Sequence, residues 1–218
     1  MISFSSPVRG VLQRLEVTRW KYYNVHPSAG ELLAILVQIV QAKHIVEVGT
    51  ANGYSSIILG ASAVSHEGRV VTIERDGELA EEAKKNIAEA GLHGVIRVVP
   101  GSAYKILAEV SGPIDFVFLD GTKQEYIGYF ERVLPKLAPR ALLVADNMLS
   151  HASELHDFQE AVRQDQRIES TILNIGTGLL VGAFDAARVS APTAGAPSAL
   201  RELVGALPVP EQARALRP

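Results

Sequence analysis

The sequence predicts an α/β fold built on a mostly parallel sheet. Three observations carry this prediction. From His44 onward, short β-branched runs alternate with longer amphipathic segments, giving five strand-then-helix units in succession. The run Ile114–Leu119, IDFVFL, is nearly all apolar, as a parallel strand covered on both faces must be. The last two runs are separated by Gly176, Thr177 and Gly178, which reads as a hairpin and puts at least one antiparallel strand at an edge.

The elements follow in order. Val11–Lys21 reads as a short helix, and Pro27 marks a turn. Ser28–Gln41 is helical, with Ser28 as N-cap, Glu31 three residues on, and Leu32, Leu33, Leu36, Ile39 and Val40 at helical spacing. His44–Val48 is the first strand and Tyr54–Val64 the helix after it. Arg69–Ile73 is the second strand. It leads to a helix over Glu78–Ala90, rich in Ala, Glu and Lys, which Gly91 stops. Val95–Val99 and Tyr104–Val110 form the third unit, Ile114–Leu119 and Gln124–Leu137 the fourth, Leu142–Ala145 and Glu154–Gln164 the fifth. Ile168–Ile175 and Leu179–Phe184 close the pattern as two strands. From Ser190 the composition shifts to an Ala-rich stretch punctuated by Pro192, Pro197, Pro208, Pro210 and Pro218. It reads as a loosely docked tail with one helical piece at Ser198–Leu207. The organisation is therefore an N-terminal helical or lid segment (1–27), a main domain (28–189) and a tail (190–218).

Composition narrows the chemistry. With 218 residues the chain is long enough for a real core, and with no Cys it has neither thiolate nucleophiles nor thiolate metal sites. A net charge of −3 and the lack of a strong basic run argue against a nucleic-acid partner. The N-terminus carries no secretory pattern, and the apolar stretch Leu32–Val40 is too short to span a bilayer, so a soluble, cytoplasmic protein is expected.

In such a sheet, ligands bind beyond the carboxyl ends of the strands. The first strand ends in EVGTANGYS, where Gly49 and Gly53 let the backbone turn under a ligand. The spacing is GxxxG and not GxGxxG, so it departs from the dinucleotide fingerprint. The second ends in Glu74, a carboxylate suited to ribose hydroxyls, although acids here also cap helices. Asp76 fits that capping role better. The third leads into Gly101-Ser102-Ala103, whose small side chains admit a flat ring, with Ser102 able to cap the next helix. The fourth and fifth end at Asp120 and at Asp146-Asn147. If these strands are neighbours, about 5 Å apart, the carboxylates face one another, and a cation relieves their repulsion. Two carboxylates and an amide oxygen make a hard site suited to Mg²⁺, while separate capping of the following turns by each Asp is the plainer alternative. Lys123 is near enough to take a proton in the same cleft, or else is a solvent-facing lysine.

Together these blocks resemble the cation-dependent class I S-adenosylmethionine O-methyltransferases of the catechol and caffeoyl-CoA type, including a bacterial branch. The resemblance covers roughly residues 28–184 and rests on VEVGTANGYS, VVTIERDGELAEEAKKN, IDFVFLDGTKQEY and LLVADNML in the family's order. It implies a Rossmann-like seven-stranded methyltransferase sheet, ordered 3-2-1-4-5-7-6 with strand 7 antiparallel and helices on both faces. It implies cofactor contacts from Glu47, Gly49, Thr50, Gly53, Tyr54, Ser55, Glu74, Arg75, Ser102, Ala103 and Asp120. Mg²⁺ or another divalent cation would be held by Asp120, Asp146 and Asn147, with Lys123 as general base. The expected reaction is methyl transfer from S-adenosylmethionine to a hydroxyl of a small phenolic acceptor. Tyr22, Tyr23 and Trp20 are candidates for an aromatic lid, and His151 and His156 for further polar contacts. Gly121-Thr122 departs from the Asp-Ala-Asp-Lys motif of plant members, and Met148–Ala152 from the Trp and Gly that the family often has after the Asn. Asn174, the approximate match for an acid of the mammalian catechol enzymes, is neutral and argues against catechol itself. A homodimer through the N-terminal helices or a sheet edge is compatible with the pattern. An RNA or protein methyltransferase, a metal-independent one, a non-catalytic cofactor-binding scaffold and an NAD-dependent oxidoreductase are the alternatives.

Overall fold

The computed structural model describes residues 4–190. The expected tail beyond Ser190, with its helical piece at 198–207, lies outside the described residues. Three helices open the chain: α1 (Ser6–Val17), α2 (Arg19–Tyr22) and α3 (Pro27–Val40). Then β1 (His44–Val48), α4 (Tyr54–Ala63), β2 (Arg69–Glu74), α5 (Gly77–Glu89), β3 (Ile96–Pro100) and α6 (Ala103–Glu109) alternate. They are followed by β4 (Ile114–Leu119), α7 (Tyr126–Val133), β5 (Leu137–Ala145), α8 (His156–Gln164), β6 (Ile168–Leu173) and β7 (Leu179–Asp185).

The strands form one seven-stranded sheet in the order β3-β2-β1-β4-β5-β7-β6. Pairing is parallel from β3 to β5, and β7 runs antiparallel to both β5 and β6. The order implied by the resemblance is the order found. The hairpin expected at an edge is there: β6 takes the edge, paired antiparallel with β7, which lies inside. The hairpin pattern fixes that β6 and β7 pair, but not which of them meets β5. Burial decides this, because Leu179, Leu180, Gly182 and Phe184 of β7 are buried, whereas Glu169, Ser170 and Thr171 of β6 are exposed.

Alternating strand residues feed two apolar layers. Ile45, Phe116, Phe118, Leu142 and Val144 pack on one face with α1, α3, α4 and α5. Val46, Val117, Leu119, Leu143 and Ala145 pack on the other with α6, α7 and α8. Helix α1 contributes Val8, Val11, Leu12 and Leu15 to the first layer, so the N-terminal segment is part of this core.

Three helix boundaries differ from expectation for identifiable reasons. The first helix starts earlier, at Ser6, because Pro7 is well placed in a first helical turn, and a break at Thr18 separates α1 from α2. In α3, Pro27 opens the helix and His26 replaces Ser28 as N-cap, its Nδ1 accepting from the Ser28 amide at 3.2 Å. The expected helix over 124–137 is shorter. It is flanked by 3-10 turns at Lys123–Glu125 and Leu134–Lys136, and the second contains Pro135.

Candidate active site

A cavity of about 430 Å³ opens beyond the carboxyl ends of β1, β2 and β4, within the usual size range of small-molecule sites. Its floor begins at Gly49. There φ is +97°, and a Cβ would lie 2.2 Å from the Asp120 carbonyl oxygen. Only glycine lets the end of β1 pass this close to the end of β4. Next, Ala51 adopts φ +46°, and its amide donates to Glu74 Oε2 at 2.8 Å. The Asp76 amide donates to Glu74 Oε1 at 3.0 Å. Asp76 in turn caps α5 through the amides of Glu78 and Leu79, as the sequence predicts. Glu74 thus ties the glycine turn to the start of α5 and still borders the cavity.

Beneath the turn lies a buried polar layer. The Thr50 and Thr72 hydroxyls are 2.6 Å apart, and Ser56 donates to Glu47. Glu47 is fully buried, and its Oε1 has no hydrogen-bond partner. Burial pushes its carboxyl up to about 6, against the lowering effect of the neighbouring hydroxyls.

The other end of the cavity is built from β4 and β5. Their parallel register pairs Leu119 with Ala145, so Asp120 and Asp146 emerge side by side. The neighbour condition set by the sequence is met. Asp120 Oδ1 accepts from Lys123 Nζ at 3.2 Å and from Asn147 Nδ2 at 2.7 Å. Asp146 Oδ1 accepts from the Asn147 amide at 2.7 Å and from the Thr177 hydroxyl at 2.6 Å. Asn147 makes these contacts from a left-handed conformation, φ +72°. Such strain persists only where the surroundings enforce it. Burial pushes Asp120 up to about 7. Lys123 opposes the shift and Asp146 adds to it. Asp146 is also raised, chiefly by burial.

Among the described residues, no group of three or more His, Cys, Asp or Glu side chains is gathered to hold a metal ion. The donor set here is two carboxylates and one amide. Its internal hydrogen bonds fall on one oxygen of each carboxylate and on the amide nitrogen. The second carboxylate oxygens and the side-chain oxygen Oδ1 of Asn147 take no hydrogen bond from the described residues, which suits a hard cation completed by water or ligand.

Of the predicted site residues, Gly49, Thr50, Ser55, Glu74, Arg75, Ala103, Asp120, Lys123 and Asn147 line this cavity. Glu47, Gly53, Tyr54, Ser102 and Asp146 do not. Ser102 occupies the N-cap position of α6 without a side-chain cap bond. Tyr22, Tyr23 and His151 line the cavity, whereas Trp20, His156 and Asn174 do not. The sequence reading missed Asn24, Val25, Leu79, Thr122 and Tyr129 on the wall. It also missed Thr177 behind Asp146, whose only signal was its place between two glycines of a turn. Among the described residues, no helix is long and apolar enough to cross a membrane.

Comparison with known proteins agrees with this architecture. Residues 9–183 match the O-methyltransferase family. The chain is 38% identical over 138 residues to a catechol O-methyltransferase of Niastella koreensis, an alignment covering 62% of each protein. The chain thus spans under two thirds of that relative's length. Among solved structures, it is similar to the O-methyltransferase from Bacillus cereus in complex with SAH. That likeness has a TM-score of 0.75 at 30% identity, covering 85% of this chain and 93% of that one. The O-methyltransferase TomG from Streptomyces achromogenes, involved in tomaymycin synthesis and solved with SAM, gives a TM-score of 0.74 at 26% identity, covering 85% and 92%.

Proposed function

The chain belongs to the O-methyltransferase family, and on that premise we propose that it transfers a methyl group from S-adenosylmethionine to a hydroxyl of a small phenolic acceptor, assisted by a divalent cation such as Mg²⁺. The observation that carries this reading is one cavity with two chemically distinct ends. Glu74 and Ala103 border one, and Asp120, Lys123 and Asn147 border the other.

S-adenosylmethionine would supply an electrophilic sulfonium methyl, and a cation, which Asp120, Asp146 and Asn147 would hold, would lower the pKa of the acceptor hydroxyl. The remaining chemistry belongs to the chain. Glu74 keeps lone pairs for ribose hydroxyls after meeting its two backbone donors. Ala103 and Gly101, two residues before it, leave room for a flat base. As the neutral amine, having given up the proton it shares with Asp120 and Gly121, Lys123 Nζ would receive the acceptor proton, and Asp120 would stabilise the ammonium so formed. Asp146 is oriented by Thr177 and by the Asn147 amide, so this end is organised before any ligand arrives. Tyr22 and Tyr23 offer aromatic surface to a phenolic ring.

A metal-independent transfer is the second reading. Lys123 and Asn147 both hydrogen-bond Asp120, so the chain's own donors offset part of its charge. Calorimetry with SAH and a trihydroxyphenyl acceptor, with Mg²⁺ or with EDTA, separates the two. Acceptor binding only with Mg²⁺ supports the cation-assisted reaction. Binding and turnover unaffected by EDTA move the chemistry to the second reading. Lack of SAH binding overturns both.

A further inference from the structure

Tyr54 follows the glycine turn in sequence, yet it does not line the cavity. It is 3% exposed, and its hydroxyl donates to Glu16 Oε1 on α1 at 2.8 Å. Burial first, and Glu16 second, hold that hydroxyl far above the usual tyrosine range, so it stays a donor at physiological pH. A second link runs beside it. Asn86 of α5 donates to the Asn52 carbonyl at 2.8 Å and accepts from Arg14 of α1 at 3.2 Å. Both asparagines are buried. The turn is therefore tied at two residues to one helix.

That helix leads directly to part of the cavity wall. Beyond α1 comes α2, and its last residue, Tyr22, lines the cavity together with the following Tyr23, Asn24 and Val25. Asn24 fixes the bend by donating from its side chain to the Leu15 carbonyl of α1 at 3.4 Å. A separate cavity of about 310 Å³, lined by Leu12, Glu16, Gly30, Tyr54 and Ile58 among others, lies where α1 meets α3 and α4. The buried Val8, Val11, Leu12 and Leu15 hold α1 to the core, and the hydroxyl–carboxylate bond sets its placement against the turn.

We propose that Tyr54, Glu16 and Asn86 are positioning residues that lock the wall Tyr22–Val25 to the glycine turn, so that a ligand seated on the turn orders that wall through α1. This rests on the reading of the turn as a cofactor site. It gives Tyr54 a role in acceptor placement instead of cofactor contact.

The test uses SAH as the probe and needs no knowledge of the acceptor. Hydrogen exchange is followed over 49–55 and 19–25 with and without SAH. Quenching of Trp20, the only tryptophan in the chain and 78% exposed on α2, gives an optical check. In the wild type, SAH slows exchange in both segments. Tyr54→Phe and Glu16→Ala bind SAH within about threefold of wild type, a small change in binding free energy, and keep protection at 49–55 but lose it at 19–25. Glu16→Gln keeps an accepting oxygen and restores it. Undiminished protection at 19–25 in Tyr54→Phe overturns the proposal, as does wild-type protection confined to 49–55. Absence of SAH binding to the wild type instead overturns the cofactor reading, and this proposal with it.

Discussion

Glu74 and Asp120 stand at the ends of parallel strands in one cavity, both largely removed from water, yet the protein treats their charges differently. Glu74 receives a backbone amide on each oxygen, from Ala51 and from Asp76. Asp120 receives both its donors on one oxygen and has Asp146 beside it, and its carboxyl is pushed up to about 7. The first carboxylate is satisfied by the fold and oriented for neutral hydrogen-bond donors. The second carries negative charge that the chain leaves incompletely compensated. Burying a carboxylate without full pairing is costly, and a site that retains the cost is suited to a cation or a proton. The two ends of the cavity thus differ in what they are prepared to receive.

Mutations at the two ends should therefore fail in different ways. The largest effect is expected for Asp146→Ala, which removes a cation ligand and strands Thr177. Turnover should fall by roughly 10³-fold or more, equivalent to about 4 kcal/mol of lost transition-state stabilisation. SAH binding by calorimetry should stay near wild type, and full turnover in this variant would remove the cation assignment. Next is Lys123→Met. Loss of a general base should lower turnover by about 10²–10⁴-fold, with cofactor affinity little changed. Unaltered turnover would leave Lys123 only a charge partner of Asp120. Glu74→Gln should do the reverse. SAH affinity should drop by about 10–100-fold, as expected for hydrogen bonds to a charged group, while kcat at saturating cofactor changes less. If kcat falls and affinity does not, the contrast between the two ends is wrong.

The effect on stability alone concerns Glu47, whose carboxyl is raised from its ordinary 4.5 to about 6 by burial. A raised value means that the folded protein holds this proton more tightly than the unfolded chain does. Its contribution is fully present below pH 4.5 and is lost as pH rises to about 6, amounting to about 2 kcal/mol. Glu47→Gln should flatten the pH dependence of urea-unfolding stability in that window. An unchanged slope would show that Glu47 titrates normally.

Much of this was legible in sequence because it is local. The apolar run of β4 and the β1 run His44–Val48 have the boundaries that the pattern predicts. Asp76 caps α5 because a capping carboxylate and its amides are only a few residues apart. Gly91 stops the same helix with φ +76° for an equally local reason. The Asp120, Asp146 and Asn147 grouping could be named conditionally, since strand ends are recognisable one at a time. The start of β5 was hidden because Pro139 and Arg140 interrupt its apolar pattern.

What remained illegible depends on contacts distant in sequence. Tyr54 adjoins the glycine turn, but its partner Glu16 is 38 residues away on a helix with no chemical motif of its own. Thr177 meets Asp146 only because β7 inserts beside β5, a choice made by the relative burial of two hairpin strands. The close passage of Gly49 under Asp120 likewise exists only once β1 and β4 are neighbours. By itself, the sequence determined the alternating elements, the strand ends and the chemical types placed there, since these follow from periodicity and turn chemistry. Only the tertiary structure decided which carboxylates are satisfied and which are left needing a partner, because that depends on donors delivered by other strands and helices.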